Sequence, residues 1–261
     1  LNFFQKSFFY DLSKLTFYII MPAFIMLSIA NVDIKKFFQY KFILLYEINT
    51  IIIFILSAII SKNIFLLTRA QSGIFGLNCS YPNYGYIGIP LSILAFGNKA
   101  ALPIALIIFA DTIVLLMLTI FFISISNNKL SFLKRLELLI ISLLKNPLML
   151  AVIFGTIISF FELRLYISIK NFLNILAGAA IPLALISIGG LLQINNIKYY
   201  KFKELGFISI MKLVIHPILI TGAFVFFDFQ NIIWLKTAIL ASCLPVASNV
   251  FLISNSYNTF Q

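Results

Sequence analysis

The chain of 261 residues has few charged side chains, very few acidic ones and a single histidine. Asp and Glu together number 8, and charged residues make up 10% of the chain, whereas an ordinary globular protein has about 25%. So few charged residues cannot cover a water-facing surface, and the composition therefore excludes a soluble enzyme. One histidine also excludes a metal site that needs two imidazole ligands. We expect neither a metal nor a cofactor.

Hydrophobic residues, in contrast, make up 62% of the chain, and the mean hydropathy is +1.07. Uncharged runs cover residues 15–32, 70–98, 171–197 and 237–261. Each run approaches or exceeds the ~20 apolar residues with which a helix crosses a bilayer. The runs are continuously apolar, unlike the alternating strands of a membrane β-barrel. The sequence therefore predicts an all-α polytopic membrane protein.

Hydropathy predicts eight spans, separated by loops that hold most of the charge. They lie at residues 12–31, 42–61, 71–95, 101–125, 138–161, 172–192, 205–227 and 232–255. Eleven Lys and Arg residues fall in loops on one side of the membrane and seven on the other. The positive-inside rule places the first side, including the loop at residues 126–137, in the cytoplasm. The net charge of +11 thus indicates topology, and we expect contact with lipid and none with nucleic acid.

Prolines in the spans recur at a spacing of about 160 residues. Pro22 and Pro182 are 160 residues apart, and Pro245 follows Pro82 and Pro90 by 163 and 155 residues. This spacing predicts two five-helix repeats, inverted because five is odd, and inverted repeats are typical of alternating access. We expect eight of ten helices here, without the first and last. Helices 2–5 would fill residues 1–125, and helices 6–9 residues 138–261, joined by a cytoplasmic loop at 126–137. Chance coincidence of prolines is the alternative.

The third span contains CSYPNYGYIGIPL (residues 79–91), in which two prolines and two glycines fall within nine residues. Such a break at membrane depth is typical of helices whose freed backbone groups face a ligand. The eighth span contains CLPVASNVFLIS (residues 243–254), with a proline followed by an asparagine. We expect both spans to be interrupted and to approach each other near the bilayer midplane. A kinked packing helix is the alternative.

Asparagine amides suit a carboxylate ligand because they offer N–H donors together with an acceptor oxygen. A hydrogen bond between helices is the commoner use of a lone asparagine in a membrane. Candidate substrate-binding residues are those at and beside the two breaks: Pro82, Asn83, Tyr84, Gly85, Pro90, Pro245 and Asn249.

Ionisable residues within the spans are functional candidates by default. Asp111 could couple transport to H⁺ or Na⁺, or it could be a structural carboxyl. Lys212 and His216 share a helix face at spacing i, i+4 and could contact an anion. Lys212 could instead extend to the membrane interface, a reading that its position near the span start favours. Glu47, near a span end, is predicted to be interfacial.

Four segments resemble the auxin efflux carrier family, which includes bacterial malate permease-like members: NYGYIGIPL (83–91), KNPLMLAVIFG (145–155), IPLALISIGGL (181–191) and LPVASN (244–249). The resemblance implies a ten-helix fold of two inverted repeats, like that of NhaA and the bile-acid transporters. In such a fold two broken helices cross near the midplane, and the binding domain moves against a scaffold. A homodimer through the scaffold helices is left open.

The predicted function is secondary transport of a small organic anion, such as a dicarboxylate or an auxin-like carboxylate, across a bacterial inner membrane. Two alternatives stand beside it. One is an intramembrane serine protease that pairs His216 with Ser72, Ser80 or Ser248. The other is a carrier fragment without transport activity.

Overall fold

The computed structural model describes residues 6–31, 39–126, 137, 140–141, 144–192, 202–247, 250 and 254. In this part of the chain, regular structure is helical apart from one isolated antiparallel bridge. The described residues form the following α-helices, numbered in chain order: α1 (Lys6–Leu15), α2 (Met21–Ala30), α3 (Tyr40–Ile64), α4 (Arg69–Ser80), α5 (Ile89–Phe96), α6 (Ala101–Ser126), α7 (Pro147–Phe160), α8 (Ile167–Leu192), α9 (Phe202–Ile210), α10 (His216–Phe226) and α11 (Ile232–Ser242).

Helical segments long and apolar enough to cross a bilayer confirm the prediction of an all-α polytopic membrane protein. Within the described ranges they are Ser7–Ala30, Tyr40–Ile64, Asn98–Ile123, Ile167–Ser187 and Phe202–Phe226. The shorter apolar helices α7 and α11 lie within the fifth and eighth predicted spans and cover part of each. The third predicted span is divided between α4 and α5. The predicted assignment of residues 1–125 and 138–261 to two repeats stays a prediction.

Helix starts follow from local capping groups. The side-chain oxygen of Asn146 accepts the N–H groups of Leu148 and Met149 at 3.0 and 3.4 Å, and Pro147 occupies the first turn of α7. Thr68 and Gln71 exchange side-chain-to-backbone hydrogen bonds at 3.0 and 3.3 Å at the start of α4. These contacts satisfy N–H groups that have no partner within the helix, so both helices begin where the sequence supplies a cap.

The described residues include three π-helical turns, and each ends two residues before a proline. They are Thr16–Ile20, Tyr84–Gly88 and Met211–Ile215, and the prolines that follow are Pro22, Pro90 and Pro217. Proline cannot donate to the carbonyl four residues earlier, and its ring crowds that carbonyl. A widened turn relieves this conflict without ending the helix. The prolines therefore produce local widening, while Pro182 lies inside the continuous helix α8.

The helices pack into two groups. In the first group α2 packs against α7 and α8, and α1 packs against α8. In the second group α3 packs against α4, α6 and α10, and α10 packs against α11. Contacts between the groups are fewer and involve α2 with α6 and α5 with α8. Helices from both halves of the sequence contribute to each group.

The contact between α2 and α7 depends on a glycine. A Cβ atom at Gly155 would lie 2.9 Å from the backbone oxygen of Met26 and 3.0 Å from the Cβ of Ile29. Because the nearest obstacle is backbone, the two helices would have to separate. Small residues allow membrane helices to approach in this way.

We expect Gly155→Ala to destabilise the protein by about 1–3 kcal/mol, the usual cost of overpacking. Gly222→Ala is the matched control, because a Cβ there has no atom within 4 Å. Thermal unfolding of the purified protein in detergent should show a lower midpoint for Gly155→Ala and no loss for Gly222→Ala. Equal stability of the two variants would show that α2 and α7 are not held at this spacing.

Candidate functional site at the helix crossing

The two broken spans meet in an antiparallel bridge. The backbone is extended at Tyr81, directly after α4, and Pro82 pairs with Val246. The N–H of Asn83 donates to the carbonyl of Pro245 at 2.8 Å, and the N–H of Ala247 donates to the carbonyl of Tyr81 at 3.1 Å. The predicted interruption of both spans, and their approach to one another, are confirmed. Their depth in the bilayer stays a prediction.

The bridge also modifies one expectation from the sequence. The freed backbone groups were expected to face a ligand, but several of them pair with the opposite span. Pro82 occupies the position of the bridge at which neither partner donates, so its missing N–H costs nothing. The carbonyl of Asn83 is also used, since it accepts from Ile87 and Gly88 at 3.3 and 3.0 Å. Ligand contacts at the crossing must therefore come mainly from side chains.

The other predicted residues around the breaks lie close to the bridge. Tyr84 and Gly85 are in the π-helical turn that follows it, and Pro90 is in the first turn of α5. Asn249 lies outside the described residues, so its joint action with Asn83 stays a prediction. Gly88, a glycine of the break that was not among the candidate site residues, also lies at the contact. A Cβ there would lie 2.7 Å from Cδ1 of Leu244, the end of a flexible side chain, so the two spans are in close contact at this point.

Asp111 is fully buried and is bonded to the crossing. The hydroxyl of Tyr84 donates to Oδ2 of Asp111, and the hydroxyls of Tyr84 and Tyr46 lie 3.1 Å apart. Because the single hydroxyl proton of Tyr84 is directed to Asp111, Tyr46 must donate to Tyr84. The Oδ1 atom of Asp111 has no hydrogen-bond partner among the described residues. A short chain of hydroxyls therefore connects α3, the crossing and the carboxyl on α6.

The prediction that Glu47 is interfacial is wrong. Glu47 is only 6% exposed, and both of its carboxyl oxygens are buried without a described hydrogen-bond partner. It lies within electrostatic range of Asp111 across the contact of α3 with α6. A signal in the sequence could have found it. Of the eight acidic residues, only Glu47 and Asp111 fall inside predicted spans.

Lys212 does not extend to the interface, so that reading of its position is also wrong. It is 1% exposed, and its Nζ donates to the carbonyl of Ser80 at 2.9 Å. Ser80 is the last residue of α4, where unpaired carbonyls give the helix end a partial negative charge. The buried ammonium group therefore stabilises the end of the half-helix that the break creates. None of its described hydrogen bonds is to a carboxylate.

The tautomer of His216 follows from its two neighbours. The hydroxyl of Thr50 donates its proton to the carbonyl of Tyr46 at 3.1 Å. The same hydroxyl oxygen lies 3.1 Å from Nε2 of His216, so it must accept a hydrogen bond from that nitrogen. Nε2 therefore carries the proton. Nδ1 lies 3.1 Å from Nζ of Lys212 and accepts from it, which makes the imidazole neutral. His216 holds the ammonium group of Lys212 against Ser80.

Among the described residues, no serine hydroxyl forms a hydrogen bond with His216. The hydroxyl of Ser80 donates to the carbonyl of Gly76 at 2.8 Å, and that of Ser72 has no described partner. Ser248 lies outside the described residues. In the part of the chain that the structure describes, the arrangement of a serine protease is therefore not formed.

A cavity of about 570 Å³ lies beside the bridge. Its wall includes Ile87 and Leu91 from the third span, and Leu244 and Pro245 from the eighth. Lys236 is the charged residue among those that line it. The volume falls in the range of small-molecule sites, about 300–1,000 Å³. The walls are otherwise apolar, so a ligand here would meet few fixed polar groups.

Comparison with known proteins identifies the family. The profile of the family described as "Membrane transport protein" matches residues 2–261, nearly the whole chain. The chain belongs to this family. It is the auxin efflux carrier family, so the resemblance of NYGYIGIPL and the three other segments is confirmed.

Two known proteins are similar to the chain over most of its length. A Rhizobium meliloti protein described as "Putative malonate transporter" is 28% identical over 252 residues, which are 94% of this chain and 76% of the relative. An uncharacterized transporter of Methanocaldococcus jannaschii is 27% identical over 255 residues, covering 94% of this chain and 79% of the relative. The family and both names indicate a transporter with a small-molecule substrate in a membrane.

The tautomer of His216 can be tested directly, because it is the only histidine in the chain. Selective ¹⁵N-histidine labelling should give two ring-nitrogen NMR signals at neutral pH, those of a neutral imidazole protonated at Nε2. Thr50→Val removes the acceptor and leaves the Nε2–H unpaired, which should cost about 1–3 kcal/mol of stability.

Thr50→Ser is the control, since it keeps the hydroxyl and should preserve both the signals and most of the stability. Signals of a ring protonated at Nδ1, or of a doubly protonated ring, would contradict the proposed role of Lys212 as the donor to Nδ1.

Proposed function

We propose that the protein is a secondary transporter that moves a small organic anion across a cell membrane by alternating access. One observation carries the proposal: two broken spans cross at a backbone bridge in a chain of this family. Broken helices of this kind form substrate sites in secondary transporters because their ends and side chains can face a cavity. The substrate would bind at the crossing, against Asn83 and Asn249.

Three features support an anionic substrate. Lys212 places a buried cation behind the end of α4, and Lys236 lines the cavity beside the bridge. The side chain of Asn83, 9% exposed at the bridge, can donate N–H groups to a carboxylate. The similarity to a protein named for malonate makes a short dicarboxylate the first substrate to test.

Asp111 is the proposed coupling residue, for H⁺ or Na⁺. Its hydrogen bond with Tyr84 links it to the turn that follows the bridge. A change in the crossing on substrate binding would therefore alter the surroundings of the carboxyl. The proposed location is a bacterial inner membrane, with the loop at residues 126–137 in the cytoplasm, as the distribution of Lys and Arg indicates.

Reconstituted vesicles provide the test of function. Uptake of labelled malonate, malate and an aromatic acetate should be measured with and without inward H⁺ or Na⁺ gradients. We expect saturable uptake of at least one carboxylate, together with exchange between labelled and unlabelled substrate. Protein-free vesicles are the control. Absence of both uptake and exchange for every carboxylate would overturn the proposal.

We expect Asn83→Ala and Asn249→Ala each to weaken substrate binding. A hydrogen bond to a charged group contributes about 1.5–3 kcal/mol, so the Kd should rise by roughly one to two powers of ten. The double variant should be non-additive, because both amides would contact one ligand. Titration of the purified protein by calorimetry measures all three effects.

Asn174→Ala, at an exposed position of α8, is the matched control and should bind like the parent. Unchanged Kd values in both single variants would identify the asparagines as packing residues and place the substrate elsewhere.

A further inference from the structure

We propose that Glu47 and Asp111 form one proton-binding site beside the crossing and that the two carboxyl groups together hold a single exchangeable proton. The proposal rests on the transport function proposed above and adds a second carboxyl to it. Glu47 and Asp111 are contributed by different spans, α3 and α6, and each is more than nine-tenths buried.

The carboxyl oxygens of the pair have few partners other than each other. Apart from the contact between the two carboxyl groups, both oxygens of Glu47 and Oδ1 of Asp111 have no hydrogen-bond partner among the described residues, and only Oδ2 of Asp111 accepts a bond, from Tyr84. A buried carboxylate without donors is strongly disfavoured relative to its protonated form. The unpartnered oxygens therefore mark a place where a proton is required.

The balance of charge around the pair also requires one proton. The titratable groups around the pair come from every neighbouring element, and they are Tyr46 on α3, Cys79 on α4, Tyr81 and Tyr84 at the bridge, Lys212 in the π-helical turn, His216 on α10 and Cys243 after α11. Among these described groups, Lys212 supplies the positive charge, because His216 is neutral when it accepts from Nζ. Two carboxylates would leave one negative charge in excess. One proton on the pair makes the cluster neutral.

The oxygen atoms around the pair are too few for a metal cation. Hard cations such as Ca²⁺ and Mg²⁺ take six or more oxygen ligands, and Na⁺ also needs several oxygen ligands in place of its hydration water. Glu47 and Asp111 lie within the continuous helices α3 and α6, whose carbonyl groups are engaged in helical hydrogen bonds. Tyr84 also directs a proton, and not an oxygen lone pair, at Asp111. This chemistry favours a proton over Na⁺.

The pair is also connected to the proposed substrate site. Tyr84 follows Asn83, whose N–H makes the bridge to Pro245. A substrate that moves the crossing would stretch or strengthen the bond from Tyr84 to Asp111. Strengthening stabilises the carboxylate and releases the shared proton, whereas loss of the bond favours rebinding. Substrate binding and proton binding are then linked through one hydroxyl.

Proton exchange can be measured in a weakly buffered detergent solution with a pH-sensitive dye. Malonate, or whichever carboxylate the uptake assay identifies, is added to the parent protein and to the variants. We expect a proton exchange approaching one per chain in the parent, and none in Glu47→Gln, Asp111→Asn or the double variant. Asp228→Asn, an exposed acidic position, is the control and should match the parent.

Vesicle uptake provides the second measurement. In the parent, the ratio of uptake with a proton gradient to uptake without one should exceed one. In each single variant the ratio should fall to one, and the double variant should show no larger loss, because a single site is removed. If Glu47→Gln keeps the ratio of the parent, the shared site is disproved. If a Na⁺ gradient alone drives uptake in the parent, the proposed coupling to protons is disproved, while the proposed transport function is retained.

Infrared spectroscopy of the parent protein keeps the proposal testable if a variant does not fold. At neutral pH the parent should show one absorption band from a protonated buried carboxyl. Absence of this band would overturn the proposal without any variant. Absence of carboxylate exchange in the parent would instead contradict the transport function, which keeps the two failures distinct.

Discussion

The structure depends on one constraint, which is that backbone polar groups buried away from water must find partners. Two spans are broken by prolines in a chain whose surroundings are mostly apolar, and the freed groups pair across the bridge of Pro82 and Val246. The bridge fixes where α4 ends. The carbonyl left at that end is satisfied by Lys212, and Lys212 in turn is held by His216. The buried charge is thus a consequence of the broken backbone.

A single stretch of α3 connects the polar groups of the second helix group. Tyr46 contacts Tyr84, Glu47 neighbours Asp111, and Thr50 accepts from His216. These side chains lie within five residues, which is little more than one helical turn. Polar contacts in a buried cluster are strengthened by the low local dielectric. The helices that carry them are therefore joined by polar contacts as well as by packing, whereas α2 and α7 are joined by the close apolar packing that Gly155 allows.

The sequence predicts features whose cause is local and fails where the cause lies on another helix. Prolines and glycines between residues 79 and 91 predict the break, and Asn146 with Pro147 predicts the start of α7. Glu47 and Lys212 were assigned by distance from a span end, which assumes that the end lies at the membrane surface. Their burial is decided by neighbours on α6 and α4. The partner of Asp111, Tyr84, could not be chosen from three candidate tyrosines near the break without the fold.

The π-helical turns have a further consequence for the register of the chain. In an α-helix each residue advances about 100° around the axis, so one residue more or fewer rotates everything beyond it by that angle. A chain lacking one residue within Met211–Ile215 could keep both flanking helices, yet it would rotate α9 and α10 relative to each other by that angle, so that they could not both keep their contacts with α4 and α3. Residue-by-residue alignment across these turns therefore has to preserve their length. A one-codon deletion here would disrupt the packing of α9 or α10 while leaving the hydropathy profile almost unchanged.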